Sequence, residues 1–185
     1  MQRAAPAVTQ FEDYELIPLE PSDAPQVIQL LSLRGNSYLI DLGASEHEVA
    51  SLISQLAGTT WSLPLAILRG DECIGMATTS LANTKSLNAS LLAIFTDPAN
   101  SMVPLALFIR HAFWNFPLHR LHCHIPALDL TAEYVELLTS VGFVDEGRLR
   151  AHELVAGQPF DVVLLGLLRE EFELWCRSNA PGLTL

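Results

Sequence analysis

The clustering of histidines is the first feature of this sequence that could support chemistry. Four of the six histidines lie between His111 and His124, and Cys123 separates His122 from His124. Side chains of an extended strand point alternately to opposite faces, so the two imidazoles share one face and Cys123 takes the other. An unperturbed imidazole titrates near pH ~6.5 and can accept a proton from an amine. His122 and His124 are therefore candidate catalytic bases.

Two other interpretations of the histidine pair remain. Its spacing also occurs among metal ligands, but zinc needs three or four protein donors and we find no third ligand in the sequence, so no metal site is predicted. Alternatively, the strand face is simply lined by neutral imidazoles that pack beside one another. Farther along, Arg148, Arg150 and His152 also alternate. They could bind a carboxylate or phosphate, or form a solvated strand edge.

The charge of the chain excludes several classes of partner. Its 185 residues include 10 Lys and Arg against 21 Asp and Glu, a formal net charge of −11, and Lys85 is the only lysine. Binding to nucleic acid or to an anionic membrane surface requires clustered basic residues, so neither partner is expected. The longest apolar runs are also far shorter than the ~20 residues that span a bilayer.

Cysteine content and the N-terminus indicate the compartment. Three widely spaced cysteines form no disulfide framework. Residues 1–10 contain no apolar run that would act as an export signal. A reducing cytoplasm is therefore the expected location.

Local patterns predict a single domain over residues 13–173, with a flexible tail at 1–12 and a C-terminal tail at 174–185. The clearest helix begins at Ser45, where Glu48 completes a capping box. Further helices are expected after Pro21, over 102–116 and after Asp129. Alternating or short apolar runs predict seven strands, at 14–19, 62–68, 73–80, 87–96, 119–125, 143–154 and 160–168. The predicted fold class is α+β (α/β), a mixed, mostly antiparallel seven-stranded sheet with about four helices on both faces.

Several segments resemble a known family. They are Leu118-His119-Arg120-Leu121, Gly142-Phe143, Glu146-Gly147-Arg148-Leu149-Arg150, Gly157, Asp161, the run 166–172, Ile74-Gly75 and Asp97-Pro98. In this order they resemble the GNAT superfamily of acyl-CoA-dependent N-acetyltransferases, and within it the ribosomal-protein-alanine acetyltransferase group. The resemblance covers roughly residues 13–173.

The resemblance implies a cofactor, acetyl-CoA or another acyl-CoA, in a cleft where strands 87–96 and 119–125 splay apart. It implies transfer of the acyl group to a small-molecule or peptide amine that attacks the thioester directly. The cofactor-binding residues that it implies are Ile94, Phe95 and Thr96 along the pantetheine arm, and Asn100, Ser101, Met102 and Asp129 near helix starts. The acidic charge favours a cationic amine, such as a peptide N-terminus or a polyamine. A homodimer through the C-terminal hairpin is possible.

Three departures from the family pattern support a second hypothesis. Family members carry an Arg/Gln-x-x-Gly-x-Gly/Ala loop that cradles the coenzyme pyrophosphate, whereas residues 97–104 contain neither glycine nor arginine and end in Pro104. Asp129 stands where an asparagine is common, and Glu136 where many members have a tyrosine. The alternative is a degenerate GNAT-fold protein without acetyl-CoA chemistry that binds a small molecule or a protein. A changed reaction on the same scaffold, such as a decarboxylation, is a third option that no residue selects.

Overall fold

The computed structural model describes residues 9–33, 45–59, 62–81, 85–128, 131–155 and 157–183. The strands are β1 (Thr9–Phe11), β2 (Tyr14–Pro18), β3 (Leu65–Arg69), β4 (Glu72–Leu81), β5 (Asn88–Phe95), β6 (Arg120–Pro126), β7 (Val144–Val155) and β8 (Gln158–Leu168). The helices are α1 (Ala24–Leu31), α2 (Glu46–Ala57), α3 (Met102–Asn115), α4 (Ala132–Ser140) and α5 (Arg169–Asn179). Short 3-10 turns occupy Pro21–Asp23, Pro98–Asn100 and Pro181–Leu183.

The strands form one sheet in the order β1-β2-β3-β4-β5-β6-β8-β7. Every neighbouring pair is antiparallel except β5 and β6, which are parallel. The predicted class, a mixed and mostly antiparallel sheet with helices on both faces, is confirmed. The described residues form one strand and one helix more than predicted.

The two additional elements lie at the ends of the chain, partly within the predicted tails. Residues 9–11 of the predicted N-terminal tail form β1, which pairs with β2. The predicted C-terminal tail includes the second half of α5, where Cys176 is fully buried. A three-residue strand has no readable periodicity, and α5 is mostly polar, so neither gives the apolar pattern from which elements are predicted.

Two apolar cores pack against the two faces of the sheet. One lies between α1, α2 and the β2–β5 half of the sheet, with Ile94 and Met76 at its base. The larger one lies under α3, α4 and α5, where the odd-numbered side chains of β6 and β8 point. α3 is buried on almost all sides, as its apolar sequence predicts. Among the described residues, no helix is both long and apolar enough to cross a membrane.

The N-terminal end of α2 is closed by two reciprocal hydrogen bonds. Ser45 Oγ accepts from the Glu48 amide at 3.3 Å, and Glu48 Oε2 accepts from the Ser45 amide at 2.7 Å, so the predicted capping box is confirmed.

The edge strand β7 is irregular. It shifts register against β8 twice, between Asp145 and Gly147 and between Leu149 and Glu153. Within the second shift Ala151 has a φ of 48°, a left-handed conformation uncommon for a residue with a Cβ.

Candidate functional site

β5 and β6 separate soon after they meet. They pair at only three positions, Asn88 with Arg120, Ala89 with Leu121 and Ser90 with His122. β5 nevertheless continues to Phe95 and stays paired with β4, while β6 stays paired with β8. The inner edges of the two strands therefore face each other across a space that we call the β5–β6 gap, bounded by residues 91–95 and 123–126.

The orientation of the amides along β5 decides which of them face the β5–β6 gap. The Thr96 amide donates to Ile74 O at 2.9 Å, on the β4 side. Amides two residues apart in a strand point the same way, so Ile94 also directs its amide to β4, whereas Phe95 directs its amide into the gap. Of the three residues assigned to that edge, Phe95 is therefore the one whose amide faces the β5–β6 gap, whereas the amides of Ile94 and Thr96 face β4.

Phe95 is already engaged by a side chain from α4. Its amide donates to the Tyr134 hydroxyl at 2.8 Å, and the hydroxyl donates to Phe95 O at 3.4 Å. Tyr134 is 2% exposed. Glu136, which occupied the tyrosine position in the family comparison, is exposed on the outer side of the helix. Two residues along a helix differ by ~200°, so the apolar stripe that buries Tyr134 necessarily turns Glu136 outward.

The interior of the β5–β6 gap is narrow and mostly apolar. The cavity there has a volume of about 30 Å³. Its lining comprises Leu91, Leu92, Ala93, Leu105, Cys123, His124, Ile125, Tyr134, Leu137 and Leu138. That volume holds about one or two water molecules, whereas sites for drug-sized ligands occupy about 300–1,000 Å³.

The amides of Asn100 and Ser101 form hydrogen bonds within the turn before α3. Both residues were predicted to bind the cofactor. The Asn100 amide donates to Asp97 O at 3.3 Å, and the Ser101 amide donates to Pro98 O at 3.1 Å. Ser101 Oγ also donates to Asp97 O, at 2.6 Å, and Asn100 Nδ2 donates to the Asp97 carboxylate at 2.7 Å. In this arrangement both amides have acceptors within the turn, and the assignment of the two residues to a cofactor site remains a prediction.

The amides of Met102 and Val103, in the first turn of α3, could donate hydrogen bonds to an anion. The first amides of an α-helix lack intrahelical acceptors, and the helix dipole places partial positive charge there. Pro104 has no amide, so the first turn of α3 is short of one donor. The assignment of Met102 to a cofactor site remains a prediction. Asp129, the remaining predicted cofactor residue, lies outside the described residues.

The histidine pair lies on β6 where that strand leaves β5, with His122 at the last paired position and His124 beside the gap. The ring centroids of His122 and His124 are 5.3 Å apart, so the predicted shared face is confirmed. His122 is half-buried and His124 is exposed. Burial, followed by the positive influence of His124 and Arg120, lowers the pKa of His122 below its ordinary value. Both effects favour the neutral imidazole, which can accept a proton. The described residues contain no group of three or more His, Cys, Asp or Glu arranged to hold a metal ion.

An ion pair lies beside the histidines. Arg120 binds the Glu146 carboxylate with both terminal nitrogens, and this holds the pKa of Glu146 below its usual range. The pair lies over Gly166, because a Cβ added to that residue would collide with the carboxylate of Glu146. Sequence reasoning missed this pair and Tyr134. Tyr134 could have been found from its place in the apolar stripe of α4, whereas 26 residues separate Arg120 from Glu146 and no local signal joins them.

The sheet order, the parallel pair that separates and the helices on both faces define the GNAT acetyltransferase fold, which this chain has. Neither a family model nor a curated protein matches its sequence. Solved structures match its fold.

Three of those structures illustrate the likeness. A spermidine N-acetyltransferase from Vibrio cholerae, in complex with CoA and spermine, has 19% identity and a TM-score of 0.75 over 86% of this chain and 98% of its own. RimJ of Mycobacterium smegmatis, with CoA-disulfide, has 21% identity and a TM-score of 0.72 over 91% and 89%. RimL, a ribosomal L7/L12 alpha-N-protein acetyltransferase, has 14% identity and a TM-score of 0.73 over 91% and 98%.

Proposed function

We propose that this protein is an acyl-CoA-dependent N-acyltransferase that transfers an acetyl or related acyl group to a free amine. The observation that carries the proposal is the separation of β5 from β6 after three paired positions, in a fold whose solved examples include CoA complexes. An opened strand edge leaves main-chain donors and acceptors without a sheet partner, and an amide-bearing arm can satisfy them.

The described residues include main-chain amides of the kind that an acyl-CoA requires. Phe95 turns its amide into the β5–β6 gap, and α3 begins at the same end of β5 with the amides of Met102 and Val103. Phe95 would hold the amide-bearing arm of the coenzyme, and the amides of Met102 and Val103 would hold its phosphates. A bound acyl-CoA supplies a thioester carbonyl that is activated toward attack by an amine.

The chain's own contribution to the reaction is the removal of a proton from the amine. An ammonium group must lose its proton before its nitrogen can attack, and the neutral imidazole of His122 can accept it. His124, 5.3 Å away between ring centroids, can pass the proton to solvent because it is exposed. The net charge of −11 favours the approach of a cationic amine. Polyamines and protein N-termini, the substrate classes named for the solved neighbours, both fit.

The first test is binding. Titration calorimetry and thermal shift with millimolar acetyl-CoA should show heat and stabilisation, followed by release of free thiol when a polyamine or a peptide with a free N-terminus is added. Absence of both heat and shift would overturn the proposal.

The second test separates His122 from other histidines. His122→Ala should lower kcat at pH 7 by about a hundredfold with little change in the KM for acetyl-CoA, because general bases contribute about 10²–10⁴ in rate. His124→Ala should have a smaller effect. His47→Ala, on the exposed side of α2, is the matched control and should leave kcat unchanged. Equal kcat values for His122→Ala and the control would remove His122 from the mechanism.

A second function, that of a binding module without acyl-CoA chemistry, is favoured by the turn before α3. Asn100 and Ser101 use their amides within that turn, and Asp97 adds a carboxylate. In this case acetyl-CoA gives no heat, while another small molecule or a protein segment binds the open face beside His122. A homodimer through the β7–β8 hairpin and a cytoplasmic location are further expectations, which size-exclusion chromatography and fractionation can test.

A further inference from the structure

We infer that Tyr134 is a latch that holds the β5–β6 gap closed, and that the arm of an acyl-CoA must displace its hydroxyl before it can pair with β5. The inference rests on the proposed function, because it concerns the same site. The latch consists of the Tyr134 hydroxyl and the amide and carbonyl of Phe95.

The latch arises from the separation of the strands. In a continuous sheet the inner edge of Phe95 would pair with β6, but pairing with β6 ends at Ser90. A buried amide without an acceptor is costly, so another group has to replace the missing strand. The Tyr134 hydroxyl does this at 2.8 Å from the amide nitrogen, and it also donates to the carbonyl of the same residue at 3.4 Å.

The packing around Tyr134 holds the latch in place. The side chain is 2% exposed, and Leu137 and Leu138 of the same helix are buried beside the gap. With the hydroxyl in this place, the cavity in the gap is only about 30 Å³. An extended arm cannot enter such a space, and the donor that it would use is occupied. Binding therefore requires a second arrangement in which the hydroxyl has left Phe95.

The population of that open arrangement sets the apparent affinity. A ligand that binds only a minor state has its dissociation constant raised by the inverse of that state's population. Tyr134→Phe keeps the ring in the apolar stripe and removes both hydrogen bonds to Phe95, so it lowers the cost of opening. Since a hydrogen bond contributes a modest net free energy, the variant should bind CoA roughly three- to tenfold more tightly than the unaltered protein.

The matched control is Tyr14→Phe. Tyr14 lies in β2, where its ring contacts Arg69, and it belongs to the other end of the sheet. This variant should bind CoA with unchanged affinity. Amide hydrogen exchange gives a readout without ligand, because the Phe95 amide should exchange faster in Tyr134→Phe than in either the unaltered protein or the control.

Calorimetry with CoA alone on the three proteins decides the inference. Tighter binding by Tyr134→Phe than by the other two supports the latch, including the case in which it is the only one of the three to bind. Equal or weaker binding by Tyr134→Phe overturns the latch and leaves the proposed function standing. Absence of binding by all three at millimolar CoA overturns both.

If Tyr134→Phe does not fold, the latch can still be tested by NMR on the unaltered protein. With tyrosine rings isotopically labelled, CoA should shift the NMR signals of Tyr134 and leave those of Tyr14 in place. If CoA binds and the Tyr134 signals do not move, the latch is overturned.

Discussion

The two faces of the β6–β8 half of the sheet differ in what covers them. On one face, Leu121, Cys123 and Leu165 are buried beneath α3, α4 and α5. On the other, the described residues include the exposed or half-buried side chains of His122 and His124 and the Arg120–Glu146 pair. The same strands supply both faces, because successive side chains alternate.

The difference separates stability from chemistry within single strands. Leu121, Cys123 and Ile125 of β6 contribute apolar burial, whereas Arg120, His122 and His124 present polar groups. Substitutions on the covered face should therefore change the free energy of unfolding, whereas those on the open face should change activity and pH dependence.

The largest effect on stability is expected at Arg169. Its guanidinium donates to Phe113 O and Phe116 O at 2.5 and 2.8 Å and to Leu118 O at 2.8 Å, which ties the C-terminal end of α3 to α5. Arg169→Ala should cost about 3 kcal/mol of unfolding free energy in urea, because hydrogen bonds to a charged group are strong and the carbonyls lose their donor. Arg177→Ala, exposed in the last turn of α5, should cost under about 0.5 kcal/mol. Similar losses for both would contradict the prediction.

The next effect compares one glycine from each face. A Cβ on Gly75, beneath Phe95, would lie 2.6 Å from both Ile94 O and Phe95 Cδ1, so Gly75→Ala should cost about 2 kcal/mol through overpacking. At Gly166 the crowding atoms belong to the flexible side chains of Glu146 and Arg120, which can move. Gly166→Ala should therefore cost under about 1 kcal/mol. Thermal denaturation measures both losses. A larger loss of stability for Gly166→Ala than for Gly75→Ala would contradict the difference between the two faces.

A pH dependence is expected from His111, on the covered side. It is 7% exposed, its Nδ1 lies 2.6 Å from Thr9 Oγ1, and burial followed by the charge of Arg110 lowers its pKa. The pKa of His111 is therefore lower in the folded protein than in the unfolded chain. The free energy of unfolding should decline as the pH falls below about 6.5, by at most about 1.4 kcal/mol per pH unit for one proton. His111→Gln should flatten this slope between pH 6.5 and 5, and His47→Gln should not. Parallel slopes in all three proteins would contradict the assignment.

The smallest effect is expected at the ion pair on the open face. The side chains of Arg120 and Glu146 are 26% and 36% exposed. Glu146→Gln should cost only about 0.2–1 kcal/mol, with less lost in 1 M salt because solvent and ions screen the pair. The pKa of Glu146 is lowered, so its contribution is present at neutral pH and is lost as the pH falls through that lowered value. Glu136→Gln, at an exposed position on α4, is the control. It should change neither the free energy of unfolding nor its dependence on salt.

Much of the fold could be predicted because its signals are local. The capping box at Ser45 and Glu48 lies within four residues, and the alternation of β6 places Leu121 on one face and His122 on the other. α5 was missed because its sequence is polar apart from a few residues such as Phe172. β1 was missed because it is three residues long and depends on pairing with β2.

The candidate site was less predictable because it depends on contacts between distant segments. The amide direction at Phe95 follows from the register of β5 against β4, which composition does not reveal. The alternation of Arg148, Arg150 and His152 predicted one shared face, but β7 shifts register between Leu149 and Glu153. Only the assembled sheet shows these relations.

The irregular course of β7 has a consequence for self-association. β7 is an edge of the sheet, and a regular edge strand can recruit a strand from another molecule and extend into an aggregate. The two register shifts and the left-handed Ala151 interrupt the row of main-chain donors and acceptors that such recruitment needs. A second copy of the chain that met this edge would therefore find few main-chain donors and acceptors in register, which opposes growth by strand addition.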